Sequence, residues 1–269
     1  MISVIIPSWK DPLLQKTIDS LLENSEGEIE IIAVFDGYIP EVPLKEDPRV
    51  KTLHLGKNRG MRGAINAGVS IASGEFIMRT DEHCSFGKGF DKILTGTFED
   101  NWIVTPRRYF LNPEKWEVMD IVPVDYGDLK IVESGSGKKF SAVENKKLAE
   151  ERKDIMIDET FGMQGSCWIM KKSWWDKVIG ELQTEGYGPL YQDSHEMVFK
   201  TWKAGGKLMV NKNTWYAHKH RDFNRTHNNG TKENPSNNEA CFKYSLDMWG
   251  DYYNELKQNG RFNYNISNE

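Results

Sequence analysis

The chain has 269 residues and a mass of 31.0 kDa, with 38% hydrophobic, 12% aromatic and 28% charged residues. Together with a mean hydropathy of −0.62, this composition is typical of a globular protein with its own core. It excludes a disordered tail, a collagen-like repeat and a polytopic membrane protein. Lysine and arginine number 35 against 40 aspartates and glutamates, and the resulting charge of −5 disfavours binding of nucleic acid by charge alone.

Cysteine usage and the start of the chain bear on the compartment. Cys84, Cys167 and Cys241 lie far apart without a C-x-x-C pair, which predicts neither a disulfide framework nor a zinc ribbon. The chain starts on a strand pattern without a charged leader, and no apolar stretch approaches the ~20 residues of a membrane span. We therefore expect a cytoplasmic protein without a membrane partner.

The first third of the chain alternates between strand and helix patterns. Strands are predicted over Ile2–Pro7, Ile29–Phe35, Val50–Leu55 and Glu75–Thr80. Asp11-Pro12 is typical of a helix start, and a second helical pattern ends at Gly74. Short β-α-β connections of this kind predict an α/β fold with a mostly parallel sheet flanked by helices. Ligands of such sheets gather at the carboxyl ends of the strands.

The rest of the chain is less regular. Strands are predicted over Trp116–Val124, Gln164–Lys171 and Lys207–Ala217, and helices over Ser173–Leu182, Asp193–Ala204 and a final stretch around Trp249. The alternating pattern of the first of these strands indicates a smaller antiparallel portion. The segment 219–238 is rich in Asn, His, Arg and Thr and is predicted to be a loop.

Asp81-Glu82-His83 is the sharpest local signal for chemistry. The strand before it delivers a carboxylate and an imidazole two residues apart, and these ligand types suit Mn²⁺ or Mg²⁺ bridging a diphosphate. The alternative is an ordinary acidic turn after a strand. Asp36 also follows a predicted strand, so the two carboxylates are expected at the same edge of the sheet.

The residues around this signal resemble a known enzyme family. Asn58, Gly60, Ala64 and the small residues up to Gly74 precede a strand and then D-x-H, a spacing that resembles the family-2 glycosyltransferases. The resemblance implies a GT-A fold, which is a Rossmann-like sheet, and a nucleotide-diphosphate-sugar donor. It also implies donor-binding roles, which fall on Pro7, Ser8, Trp9, Asp36 as the uracil contact, Asn58, Gly60 and Arg62. Arg62 is included because Ile65 stands where family members often have arginine.

Further motifs resemble one branch, the polypeptide N-acetylgalactosaminyltransferases, over their catalytic domain alone. Asp81-x-His83-Cys84 is similar to their D-x-H-C, and Gly162–Ser166 is similar to the strand entry beside their sugar pocket. Asp193-Ser194-His195-Glu196 resembles their E-N-x-E, and His218-Lys219-His220-Arg221 resembles H-x-x-R. Leu190-Tyr191-Gln192 departs from the branch's W-G-G and leaves the identity of the sugar open.

This resemblance implies particular roles. Asp81, His83 and His218 would hold Mn²⁺ or Mg²⁺, and Arg221 would contact the diphosphate. Asp193 and Glu196 would be the catalytic carboxylates, which hold sugar hydroxyls or the acceptor or act as a base. Each role has a structural alternative: Asp193 and Glu196 also fit a capping box, Asp36 fits a turn cap, and His218 fits a strand-end histidine.

The resemblance divides the chain into a nucleotide-sugar-binding half (residues 1–105), an acceptor and sugar half (106–217), and a loop with a C-terminal helix (218–269). We predict that the 219–238 loop is mobile in the empty enzyme and orders over the donor.

The expected function is metal-dependent transfer of a sugar from a UDP-sugar, an N-acetylhexosamine or a hexose, to a hydroxyl group. The resemblance favours retention of anomeric configuration. Protein, polysaccharide and a hydroxymethylated DNA base all stay open as acceptors. A sugar-phosphate nucleotidyltransferase and a non-catalytic nucleotide-sugar-binding protein are the alternatives.

Overall fold

The computed structural model describes residues 1–220 and 237–264. Its strands are β1 (Ile2–Ser8), β2 (Ile29–Asp36), β3 (Val50–Leu55), β4 (Phe76–Thr80), β5 (Cys84–Phe86), β6 (Trp102–Asn112), β7 (Glu117–Val118), β8 (Gly127–Ser134), β9 (Gly137–Glu144), β10 (Ile157–Glu159), β11 (Cys167–Lys171) and β12 (Lys207–His218). Its helices are α1 (Leu14–Asn24), α2 (Gly60–Ser70), α3 (Phe90–Gly96), α4 (Lys146–Glu151), α5 (Lys172–Trp174), α6 (Asp193–Lys203) and α7 (Asn238–Gln258), and a π-helical turn, Trp175–Ile179, follows α5.

The central sheet has the strand order β10-β12-β6-β11-β4-β1-β2-β3. β1 is parallel to both β2 and β4, β2 to β3, and β6 to β12, whereas β11 runs antiparallel to its neighbours β4 and β6. The hairpin β8-β9 forms a separate antiparallel sheet of two strands. A mostly parallel sheet with a smaller antiparallel portion confirms the predicted fold class.

β1 shows why the sheet is covered on both faces. Its alternate side chains point to opposite sides, with Ile5 in the core beneath α2, and Val4 and Ile6 in the core beneath α1. α2 lies close because it presents Gly68, where a Cβ would come within 2.5 Å of Ile5. Strands buried on both faces read as continuous apolar runs, which is why β1 and β2 were predictable.

Two predicted elements are wrong. Trp116–Val124 forms only the two-residue strand β7, because Trp116 adopts φ 58° and Val118 and Val122 are exposed rather than packed. Ser173–Leu182 is not one regular helix but α5 and the π-helical turn, which Gly180 ends at φ 65°. Among the described residues, no helix combines the length and the apolar character needed to cross a bilayer.

Candidate active site

Three side chains predicted to bind metal meet where β4 ends beside β5 and β12. Asp81 follows β4, and its backbone N–H donates to the Ser166 carbonyl (2.9 Å). β5 pairs antiparallel with β12, and this register places His218 opposite Cys84, next to His83. The sheet therefore brings together residues that are 137 positions apart, Asp81 and His218.

Their potential ligand atoms converge closely. His218 Nε2 lies 3.1 Å from Asp81 Oδ2 and 3.2 Å from His83 Nε2, and one ligand atom from each residue fits within 4.8 Å of the others. Cis ligands of a small octahedral ion with bonds of about 2.1 Å lie about 3 Å apart. The spacing and the oxygen and imidazole donors therefore fit a divalent ion such as Mn²⁺ or Mg²⁺.

The protonation states also fit a metal site. Burial lowers the pKa of His218 to about 4 against the opposing pull of Asp81, so its imidazole is neutral at physiological pH. Burial alone would raise the pKa of Asp81, but the Arg79 guanidinium and the His218 hydrogen bond outweigh burial and hold this pKa well below its ordinary value. A neutral imidazole and an ionised carboxylate are the forms that bind metal.

Asp11 supports His83 from behind. Its Oδ2 lies 2.9 Å from His83 Nδ1, and its Oδ1 accepts from the Leu13 N–H (2.9 Å). A His83 tautomer whose Nδ1–H donates to Asp11 directs its Nε2 lone pair toward Asp81 and His218. The sequence predicts Asp11 at a helix start, whereas the structure has Leu13 as the N-cap of α1. The missed signal was a carboxylate just beyond the carboxyl end of β1.

Arg79 and Glu82 also lie at the site but were not predicted from the sequence. Arg79 is 2% exposed on β4, and its guanidinium pairs with Asp81 and donates to the Met61 sulfur (3.0 Å). Burial lowers the pKa of Arg79, but the charges of Asp81 and Asp193 raise it further than burial lowers it. The available signal was a single arginine inside an otherwise apolar strand. Glu82, 4% exposed, accepts from the Trp9 N–H at 3.1 Å and has no such signal.

The end of β1 and the residue that follows it form an aromatic rim beside Glu82. Pro7 lies within β1, and the Ser8 hydroxyl hydrogen-bonds to the Tyr38 hydroxyl. Trp9 is 39% exposed and packs edge-to-face on Tyr38 with ring centroids 5.7 Å apart. An exposed indole at the carboxyl edge of the sheet suits stacking on a planar base. Donor contact by Pro7, Ser8 and Trp9 stays a prediction.

Asp36 joins β2 to the start of α2. Its buried carboxylate accepts from the Asn58 side chain (2.8 Å) and from the N–H groups of Arg59 (2.6 Å) and Gly60 (2.8 Å). Burial raises the pKa of Asp36, and the two backbone donors limit that rise. The carboxylate thus binds the start of α2 rather than the turn before Gly37, and base contact by Asp36, Asn58 and Gly60 stays a prediction.

Arg62 and Glu196 lie together in the core. Their side chains form an ion pair and are 0% and 1% exposed. The Glu196 side chain does not return to the Asp193 backbone, and the N-cap of α6 is Gln192, so the capping-box alternative is wrong. A donor contact for Arg62 and a catalytic role for Glu196 stay predictions, and the fully buried pair favours an indirect role.

Asp193 lies at the first position of α6 and is 5% exposed. Its Oδ2 has no hydrogen-bond partner among the described residues and faces Gly165, where a Cβ would lie 3.2 Å from this oxygen. A buried carboxylate oxygen without a partner costs free energy unless a ligand or water satisfies it. Asp193 is therefore the predicted catalytic carboxylate with free bonding capacity. Arg221 and most of the 219–238 loop lie outside the described residues.

The fold is that of the GT-A glycosyltransferases. The structure is similar to that of GalNAc-T7 with UDP, GalNAc and Mn²⁺, with TM-score 0.71 and 18% identity over 97% of this chain and 51% of that chain. It is also similar to S. aureus TarS 1–349 in complex with UDP-GlcNAc, with TM-score 0.54 and 14% identity over 84% of this chain and 60% of that chain. At these identities the likeness establishes the fold.

The sequence places the chain more narrowly. Residues 3–179 match Glycosyl transferase family 2, and the chain belongs to that family. It is 32% identical over 108 residues to the uncharacterized glycosyltransferase EpsJ of Bacillus subtilis strain 168, which covers 38% of this chain and 31% of that protein. It is 33% identical over 88 residues to the glycosyltransferase GlyG of Streptococcus pneumoniae TIGR4, which covers 30% and 29%. The matched region is about a third of each curated relative.

Proposed function

We propose that the chain transfers a sugar from a UDP-sugar to a hydroxyl acceptor and depends on Mn²⁺ or Mg²⁺ held by Asp81, His83 and His218. The observation that carries this proposal is the convergence of the three ligand atoms within 4.8 Å, with His83 already oriented by Asp11. GalNAc-T7 with UDP and Mn²⁺, and TarS with UDP-GlcNAc, support a uridine donor.

The bound ion would neutralise the diphosphate and make it a better leaving group. The protein's own residues would supply position and charge. Trp9 and Asp36 would lie at the base end of the donor, and Arg221 would add a positive charge at the diphosphate. Asp193, with its free Oδ2, would accept a hydrogen bond from a sugar hydroxyl.

The transfer breaks the bond between the anomeric carbon and the diphosphate oxygen. A new bond forms from that carbon to the acceptor oxygen, whose proton passes to the departing diphosphate oxygen. The D-x-H resemblance supports retention of configuration, an N-acetylhexosamine or hexose as the sugar, and a protein, polysaccharide or hydroxymethylated DNA base as acceptor. We propose a cytoplasmic location for this reaction.

Calorimetric titration of a panel of nucleotide-sugars, with and without Mn²⁺, tests the proposal. One UDP-sugar should bind in the presence of Mn²⁺, and Asp81→Ala should abolish the Mn²⁺ dependence. Asp47→Asn, in an exposed pair with Arg49, is the matched control and should bind like the wild type. Binding of no nucleotide-sugar by the wild type would overturn the proposal.

A further inference from the structure

The segment 183–192, which leads into α6, has an unusual backbone. Tyr191 and Gln192 are consecutive non-glycine residues with φ 65° and 55°. This left-handed conformation is unfavourable for residues with a Cβ, so surrounding contacts must hold it in place. Asp193 follows directly and begins α6, so the direction of its carboxylate depends on how this turn is held.

Arg62 makes most of the holding contacts from α2. Its Nε and Nη2 both donate to the Tyr191 carbonyl, at 3.1 and 2.9 Å, and its Nη1 donates to the Gln183 carbonyl at 2.9 Å. The guanidinium also lies 4.0 Å from the centroid of the Tyr187 ring. One side chain therefore holds the middle and both ends of the segment.

Glu196 completes the arrangement from α6. One carboxylate oxygen pairs with Arg62, while the other accepts from the Gln183 N–H (3.2 Å) and lies 2.8 Å from Lys200 Nζ. Because the pair is fully buried, the Arg62 charge depends on Glu196 for compensation, whereas Glu196 also has Lys200 as a counter-charge. The Gln192 side chain also donates to the Phe140 carbonyl (3.1 Å) and accepts from the Ser245 hydroxyl (3.2 Å).

We propose that Arg62 and Glu196 are positioning residues. Their ion pair holds segment 183–192 in its left-handed turn and so directs Asp193 toward the sugar of the donor. The part of this inference that concerns Asp193 rests on the proposed function. It assigns Arg62 no contact with the donor and Glu196 no proton transfer. The proposed role also explains why Arg62, on the core-facing side of α2, is an arginine.

Glu196→Gln tests the inference because it keeps the shape of the side chain and removes its charge. Amide hydrogen exchange over 183–192 should become roughly tenfold faster or more, because the turn loses its buried counter-charge. With Mn²⁺, the affinity for UDP should stay within about twofold, while kcat with the UDP-sugar falls about tenfold. Asp247→Asn removes a carboxylate charge from the exposed pair with Lys243, and it should change none of these values.

Epistasis separates positioning from a general structural role. If Glu196 acts through Asp193, the Asp193→Ala, Glu196→Gln double variant should be no slower than Asp193→Ala alone. The inference would be overturned if the loss of kcat in the double variant equalled the product of the two single losses. Unchanged amide hydrogen exchange over 183–192 in Glu196→Gln would also overturn it. If Glu196→Gln does not fold, Arg62→Met with Glu196→Met removes both charges and should give the same results.

The two proposals fail differently. Lack of Mn²⁺-dependent UDP-sugar binding by the wild type overturns the proposed function and the link to Asp193. Hydrogen exchange still decides in that case whether the ion pair holds the turn. If the wild type binds and turns over the UDP-sugar but the two single losses of kcat multiply in the double variant, only the positioning role is overturned.

Discussion

The Nε2 atoms of His83 and His218 lie 3.2 Å apart, although 135 positions separate the two residues in the chain. The antiparallel pairing of β5 with β12 creates this contact, and Asp11 determines which nitrogen of His83 is free. The two nitrogens and an Asp81 oxygen lie within 4.8 Å of one another, which is the spacing on which the proposed metal site rests.

His218→Ala should lower the affinity for Mn²⁺ by roughly 100-fold, because it removes a neutral imidazole from a three-residue site. Calorimetry or Mn²⁺ paramagnetic resonance measures this affinity without any donor. His54→Ala is the matched control, since His54 is exposed on β3 and far from the cluster along the sheet order. Equal Mn²⁺ affinity in the wild type and His218→Ala would show that the cluster does not bind the ion.

Asp11→Asn should lower the Mn²⁺ affinity by about 10-fold to 100-fold, the usual effect of losing a carboxylate behind a ligating histidine. Asparagine can still accept from the Leu13 N–H, so the start of α1 should persist. Unchanged thermal stability together with weaker Mn²⁺ binding would identify a positioning role. Unchanged Mn²⁺ affinity would contradict the role assigned to Asp11.

His195 should make stability depend on pH. Burial lowers its pKa to about 4, with the charges of Lys139 and Arg62 adding to burial and that of Asp193 opposing it. Within residues 1–220 and 237–264, neither ring nitrogen has a hydrogen-bond partner. Between pH 6.5 and about 4, His195 is protonated in the unfolded chain but not in the folded protein. The free energy of unfolding therefore decreases as the pH is lowered through this range.

His195→Phe should therefore flatten this pH dependence. The phenyl ring can replace the imidazole against Phe140, whose ring lies 6.4 Å away. We expect the wild type to lose about 3 kcal/mol more than the variant between pH 7 and pH 4. Urea denaturation across this range gives the comparison, and parallel curves would show that His195 titrates normally.

Gly60→Ala should destabilise the fold by about 2–4 kcal/mol. Gly60 has φ 76°, and a Cβ there would lie 2.2 Å from the Cβ of Pro189. Gly135→Ala is the control, because Gly135 has a permitted φ and open space around its Cβ position. The midpoint of urea denaturation should decrease for Gly60→Ala alone. A similar decrease in both variants would show that the close approach of Pro189 is not the cause.

Segments with a strong local pattern were predictable. β2 reads as a strand because it is buried on both faces, and α6 reads as a helix because its apolar residues recur at helical spacing. Asp81 and His83 could be found because they lie two residues apart after a strand. β7 was overestimated because an alternating pattern does not reveal whether a partner strand continues alongside.

The sequence by itself determined the class of protein. The D-x-H motif and the alternation of strands and helices involve residues that are close together in the chain. Their chemistry and spacing can therefore be recognised without knowing any tertiary contact. Tertiary structure alone decided which distant groups complete the site. Asp11 behind His83, and the burial of Arg62 against Glu196, arise from strand order and helix packing. Such contacts depend on positions 72 and 134 residues apart, where no local periodicity connects one residue to the other.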